Sequence, residues 1–129
     1  MLKLHHSGFI VKDIDAWEKQ MIYEEKVGDA MDPLQNARVA LYKNFGNTFI
    51  ELIQPLSEKA FTWNSLVKSG DHFNHFCYMV SNSEEMKQTA IKYKLISVLA
   101  PIPALLFNGK KVAFYYTRNH QIVEFLING

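Results

Sequence analysis

Arg38-Val39-Ala40-Leu41-Tyr42, followed by Phe49-Ile50-Glu51-Leu52-Ile53, returns later in the chain as Lys111-Val112-Ala113-Phe114-Tyr115, followed by Ile122-Val123-Glu124-Phe125-Leu126. The differences 112 − 39 and 124 − 51 both equal 73, so two strand-like segments repeat in a common register with a glutamate at the same place in each second segment. Strand side chains alternate between faces. Glu51 therefore shares a face with Phe49 and Ile53 while Ile50 and Leu52 take the other, and neither face reads as solvated. Glu124 sits in the same way between Ile122 and Leu126, with Val123 and Phe125 opposite. A carboxylate inside an apolar run is costly to bury unless something pairs with it. A salt bridge would meet that need at either position alone, but a carboxylate recurring at matched positions suggests one shared use, and a metal ion is the obvious one.

Working outward from the hairpins, the rest of the chain also falls into two copies of one order of elements. Residues 4–11 read as a short apolar strand. Asp13 then offers a cap for a helix over residues 14–23, with Ile14, Trp17, Met21 and Ile22 near helical spacing. One further strand precedes the break at Asp32-Pro33 and Asn36. The strands 37–43 and 47–53 follow, joined by Asn44-Phe45-Gly46. Residues 54–71 carry Pro55 and Gly70 around Phe61, Trp63, Leu66 and Val67, which suits a short linker helix. The order then restarts. Residues 75–80 repeat the first strand, and Ser81 or Ser83 caps a helix over residues 84–94 with Met86, Ala90, Ile91 and Tyr93 as buried positions. A strand over residues 95–99, a Pro-containing stretch over residues 100–109, and the second hairpin with Asn119-His120 at its turn complete the chain.

The first strands are offset by 69, since 75 − 6 equals 69, whereas the hairpins are offset by 73, so four residues have been added between them. The stretch before Lys110 is the natural place for them, because insertions fall in loops and longer loops often cover sites. A flap is expected there. Its apolar tip, Leu105, Leu106 and Phe107, would either cover a bound ligand or plug the end of the sheet.

With 129 residues the chain suits one compact domain, residues 1–129, of two halves, about 1–55 and 72–129, each too small to stand alone. Hydrophobic residues at 48% and charged residues at 21% exclude a disordered chain. The net charge of +1, with lysines scattered along the sequence, argues against nucleic acid as a partner. One cysteine, Cys77, leaves no intrachain disulfide, and Met1-Leu2-Lys3-Leu4-His5-His6 lacks the apolar region of a secretion signal, so a cytoplasmic location is expected. No apolar run approaches the ~20 residues of a membrane helix, and no membrane association is expected.

His6 opens the first strand of one half and His75 the matching strand of the other, while Glu51 and Glu124 occupy the last strands. If a pseudo-twofold axis relates the halves, these four side chains converge on one point. Two imidazoles and two carboxylates, with positions left for water or substrate, suit one divalent ion such as Ni, Co, Zn, Mn or Fe. A single strand histidine is more often a satisfied polar residue; here His, Glu, His and Glu recur at symmetric places, which independent polar residues would match only by chance. His5 should point to the opposite face, as a surface group or as a support behind the ligands. His72 and His120 fall in loops and read as solvated. Cys77 shares the face of His75, where a small buried cysteine is the usual occupant. The chain has no Ser, His and Asp arrangement, phosphate loop or zinc-finger spacing.

Four stretches carry a resemblance over nearly the whole chain. They are His5-His6-Ser7-Gly8-Phe9-Ile10-Val11-Lys12-Asp13-Ile14, Gly46-Asn47-Thr48-Phe49-Ile50-Glu51-Leu52-Ile53-Gln54-Pro55, His75-Phe76-Cys77-Tyr78-Met79-Val80, and Asn108-Gly109-Lys110-Lys111-Val112-Ala113-Phe114-Tyr115 leading to Val123-Glu124. In this order the sequence resembles the vicinal oxygen chelate superfamily, and within it glyoxalase I, methylmalonyl-CoA epimerase and the bleomycin resistance proteins. The resemblance implies an α+β fold of two pseudo-symmetric βαβββ modules forming a curved, barrel-like mixed sheet around a metal site. It maps metal ligands onto His6, Glu51, His75 and Glu124.

It also implies a small-molecule substrate, a homodimer, and proton transfer next to a carbonyl by a metal-dependent lyase, isomerase or epimerase, with Glu124 slightly ahead of Glu51 as the base. Leu106, Phe107 and Asn108 are the substrate-binding candidates. Asn74 stands where many relatives carry a second histidine, and His120 where many carry glycine; these departures touch substrate identity more than metal binding. Two other readings are kept: a metal-free binding protein of the drug-sequestering kind, and a dioxygenase.

Overall fold

Both repeated segments form antiparallel hairpins in the computed structural model, which describes residues 2–129. In chain order the elements are β1 (Lys3–Ile10), α1 (Ile14–Glu18), β2 (Glu25–Asp32), β3 (Ala37–Lys43), β4 (Phe49–Pro55), α2 (Trp63–Ser69), β5 (His72–Val80), α3 (Ser83–Lys92), β6 (Ile96–Pro103), a 3-10 turn (Leu105–Phe107), β7 (Lys111–Tyr116) and β8 (Ile122–Ile127). The eight strands belong to a mixed sheet in the order β2-β3-β4-β1-β5-β8-β7-β6, an α+β arrangement. Register repeats with the sequence. Leu41 lies opposite Glu51 in the first hairpin, and Phe114 lies opposite Glu124 in the second.

Residue contacts divide the chain into two compact units, Ser7–Asn74 and the residues up to His6 together with His75–Gly129, so the divisions fall inside β1 and β5. In the first unit Val11, Ile14, Ala40, Tyr42 and Leu52 form a buried cluster, covered by Phe9, Trp17, Met21, Tyr23 and Ile50. In the other, Val80, Met86, Ala113, Phe125 and Ile127 form the buried cluster, with Tyr78, Leu95, Tyr115 and Val123 against it. Each cluster joins one helix to the strands beneath it, the usual way a sheet face is covered.

Several elements differ from the sequence reading. The first helix ends at Glu18, not at residue 23. Ile22 is exposed, while Met21 and Tyr23 reach the core from a non-helical segment, Tyr23 lying 4.8 Å from the Tyr42 ring. Apolar spacing was met there by a turning chain in place of a second helical turn. The cap of α3 is Asn82 and not Ser81 or Ser83: its side chain accepts from Glu85 N at 2.9 Å, while Glu85 Oε1 accepts from Ser81 N at 2.7 Å. Met86 and Ala90, four apart, face the core, whereas Ile91 and Tyr93 are exposed.

The segment expected to be a flap over residues 100–109 is shorter, because Pro101 and Pro103 belong to β6. This strand lies at the edge of the sheet order, where a missing N–H has no ladder partner to forfeit, and its pairing with β7 shifts register twice. Residues 104–110 remain as the connection, against residues 33–36 in the first hairpin unit. His72 opens β5 and is not in a loop. It is hydrogen-bonded, its Nδ1 donating to Gly70 O at 2.7 Å and its Nε2 accepting from Ser65 Oγ at 2.8 Å. Among the described residues no helix is long and apolar enough to cross a membrane.

Candidate metal centre

The second compact unit draws three of the sequence candidates into one cluster. His6 comes from β1, His75 from β5 and Glu124 from β8, and they are 0%, 1% and 4% exposed. Strands β5 and β8 pair in parallel with Cys77 opposite Glu124 and His75 opposite Ile122, which sets the imidazole and the carboxylate on neighbouring strands. His6 Nε2 lies 3.2 Å from His75 Nε2, and Glu124 Oε1 lies 3.0 Å from each of those nitrogens. Yet no aligned hydrogen bond reaches that oxygen. Burial pushes the Glu124 carboxyl up, but the His6 and His75 rings beside it more than offset this and hold it below the usual carboxylate range.

This donor set fits a divalent ion. Three donor atoms are crowded into a near-equilateral triangle inside the protein, and the carboxylate oxygen is close to both nitrogens without being the target of an N–H. Two metal–donor bonds of about 2.1 Å at a right angle hold their donors about 3.0 Å apart, whereas tetrahedral angles spread them to about 3.4 Å. The observed spacings of 3.0, 3.0 and 3.2 Å lie nearer the first figure. Imidazole nitrogens with a carboxylate oxygen suit Ni, Co, Zn, Mn or Fe.

Aromatic rings fix the imidazoles. Phe107 stacks on His6, centroids 5.5 Å apart and planes at 17°, and meets His5 edge-on at 5.3 Å. Phe114 stands edge-on to His75 at 6.1 Å. His5 Nδ1 and His6 Nδ1 are hydrogen-bonded at 2.8 Å, and the buried Cys77 belongs to the same His5–His6 group.

Of the remaining candidates, Glu51 is 5% exposed on β4 of the other unit, opposite Leu41. Phe107 is buried against the histidines, Leu106 is half-buried, and Asn108 is exposed and turns the chain with φ at 55°. Phe114 was not singled out from sequence, although the repeat carries the signal: once β7 and β8 are paired by analogy with β3 and β4, Phe114 must face Glu124. His120 holds a φ of 65°, which accounts for glycine being the expected residue at that turn.

Comparison with known proteins agrees with this architecture. A hypothetical protein from Bacillus halodurans superposes with a TM-score of 0.85 at 25% identity, over 99% of this chain and 95% of that one. Methylmalonyl-CoA epimerase from Mycobacterium tuberculosis does so with a TM-score of 0.83 at 19% identity, over 98% and 88%. A variant of the Streptomyces coelicolor methylmalonyl-CoA epimerase, solved with 2-nitronate-propionyl-CoA, gives 0.80 at 16% identity, over 98% and 97%. No curated protein matches the sequence. At these identities the epimerases speak for the fold, the vicinal oxygen chelate architecture. Family membership comes from the sequence, whose residues 5–114 match the family and include His6, Glu51 and His75. The chain therefore belongs to the Glyoxalase/Bleomycin resistance protein/Dioxygenase superfamily.

Proposed function

We propose that the protein is a divalent-metal-dependent enzyme that moves a proton at a carbon next to a carbonyl, acting as a lyase, isomerase or epimerase on a small oxygenated substrate. The observation that carries this reading is the buried triangle of His6 Nε2, His75 Nε2 and Glu124 Oε1, whose carboxylate oxygen is the target of no aligned hydrogen bond. Glu51 is the fourth ligand of this proposal. It is supported by its burial and by a register that matches that of Glu124 in the repeated hairpin. An ion held by these four residues would supply Lewis-acid stabilisation of the negative charge that develops on a substrate oxygen, worth several kcal/mol.

The chain's own groups do the rest. To hold an ion, the two imidazoles would offer it their Nε2 lone pairs, which requires their protons on Nδ1. Glu124 and Glu51 are the carboxylates placed to take a proton from carbon and return it, with Glu124 slightly ahead on the family resemblance. Phe107 seals the outer face of His6, and with the neighbouring Leu106 and Asn108 it forms the segment we assign to the substrate. Exclusion of water by such walls strengthens every charge interaction within.

The test is metal content of the purified protein beside a His75→Ala variant, followed by solvent deuterium exchange at the carbon next to the carbonyl. Methylmalonyl-CoA is the first probe, because several epimerases of this fold act on it. A stoichiometric divalent ion lost in the variant, with exchange dependent on Glu124 or Glu51, is the expected result. Wild-type protein without stoichiometric metal would overturn the reading.

A further inference from the structure

We infer that His5 is a positioning residue for this site: it fixes the tautomer and ring orientation of His6. The inference rests on the reading of His6 as a ligand through Nε2. A neutral imidazole carries one proton on its two nitrogens. The Nε2 edge of His6 faces His75 Nε2 at 3.2 Å, with Glu124 Oε1 3.0 Å away, so a lone pair offered there by His6 puts its own proton on Nδ1 and leaves the proton between the two Nε2 atoms on His75.

That Nδ1 lies 2.8 Å from His5 Nδ1. Two ring nitrogens at this distance share one proton: two would repel, and none would set lone pair against lone pair. His6 Nδ1–H therefore donates to the His5 Nδ1 lone pair, and the His5 proton resides on Nε2.

Neighbours on a strand point to opposite faces, yet the contact is possible because Nδ1 is the ring nitrogen nearer the backbone. Both His5 and His6 also rest on Phe107, His6 stacked and His5 edge-on, so His6 is held at its Nδ1 edge, its face and its Nε2 edge. A metal-binding histidine usually donates its second N–H to a carboxylate, carbonyl or water. Here a neutral imidazole takes that part and adds no charge to the site. The second repeat has Asn74 in place of His5, a residue that also carries a side-chain acceptor.

His5→Phe keeps a ring against Phe107 and removes the acceptor; His5→Asn restores an acceptor, since Asn Oδ1 occupies the place of Nδ1. Co2+ affinity by titration should fall about 10- to 100-fold in His5→Phe and recover to within a few-fold of wild type in His5→Asn. Ring 15N spectra of the metal-free protein should show His6 protonated on Nδ1 in the wild type, with the Nε2–H tautomer gaining population in His5→Phe. Wild-type Co2+ affinity in His5→Phe, or a His6 proton on Nε2 in the wild type, would overturn the inference. If the wild type binds no Co2+ at all, the functional reading fails, and the tautomer spectra alone decide the role of His5.

Discussion

Divalent-ion binding should raise the melting temperature of the wild-type protein by about 10 °C, and His75→Ala should abolish that increment. The magnitude follows from linkage. A ligand at 100 times its dissociation constant stabilises the native state by about 2.7 kcal/mol. Unfolding entropy near the midpoint is about 2.1 cal/mol/K per residue, which for 129 residues is about 270 cal/mol/K, so 2.7 kcal/mol corresponds to about 10 °C. Differential scanning fluorimetry of chelator-treated protein, with and without Co2+ or Ni2+, supplies the measurement. His75→Ala will also change the metal-free midpoint, since it leaves Glu124 with one imidazole neighbour instead of two. The informative quantity is therefore the increment on adding metal. An increment equal in wild type and variant would place the ion elsewhere on the chain, and no wild-type increment at any ion concentration would refute the donor-triangle argument.

Other perturbations read the scaffold. Phe107→Ala empties a buried site stacked on His6 and should cost about 3 kcal/mol in urea unfolding, with Phe107→Leu costing less. Asp29 is held down to about 2 by the Arg38 guanidinium, which reaches it bidentately at 3.0 and 2.8 Å. Because the folded pKa is depressed, its contribution is present above about pH 3.8 and lost as pH falls through about 2. After discounting for its partial exposure, Asp29→Asn should cost about 1 kcal/mol at pH 7, the gap to wild type closing between pH 4 and 2. His120→Gly relieves a φ of 65° at the β7–β8 turn and should stabilise by about 0.5 kcal/mol, seen as a higher denaturant midpoint with unchanged slope.

The hairpins and their register were legible because strand patterning is local and the repeat supplied a second reading of the same signal: Leu41 with Glu51 predicts Phe114 with Glu124. The repeat also singled out His6, His75 and Glu124, which the structure brings together. Helix limits were not legible. Met21 keeps helical spacing from Ile14 and Trp17 but reaches the core from a non-helical segment, and periodicity does not distinguish the two routes. Pro101 and Pro103 read as loop because proline is excluded from central strands; only the sheet order reveals that their strand is at an edge. The His5–His6 contact was hidden for a different reason, since alternation assigns neighbours to opposite faces and says nothing about nitrogens close to the backbone.

The placement of the donors also bears on what they cost the fold. The described apolar clusters gather around Val11 and Tyr42 and around Val80 and Phe125, while His6, His75 and Glu124 are buried polar groups. A buried carboxylate beside two imidazoles is an expensive arrangement for a metal-free protein, because desolvation opposes ionisation and the attraction of the rings must offset it. Such a cluster is weak evidence of a stability device, and replacing it with well-packed apolar side chains is often neutral or favourable. Its persistence at the repeat-matched positions is better explained by what it binds. Metal-free stability then rests on the buried apolar residues, and the donor triangle contributes chiefly when a cation is present. Substitutions within the clusters should lower stability with and without metal, whereas substitutions of the donors should act mainly on the metal-dependent increment.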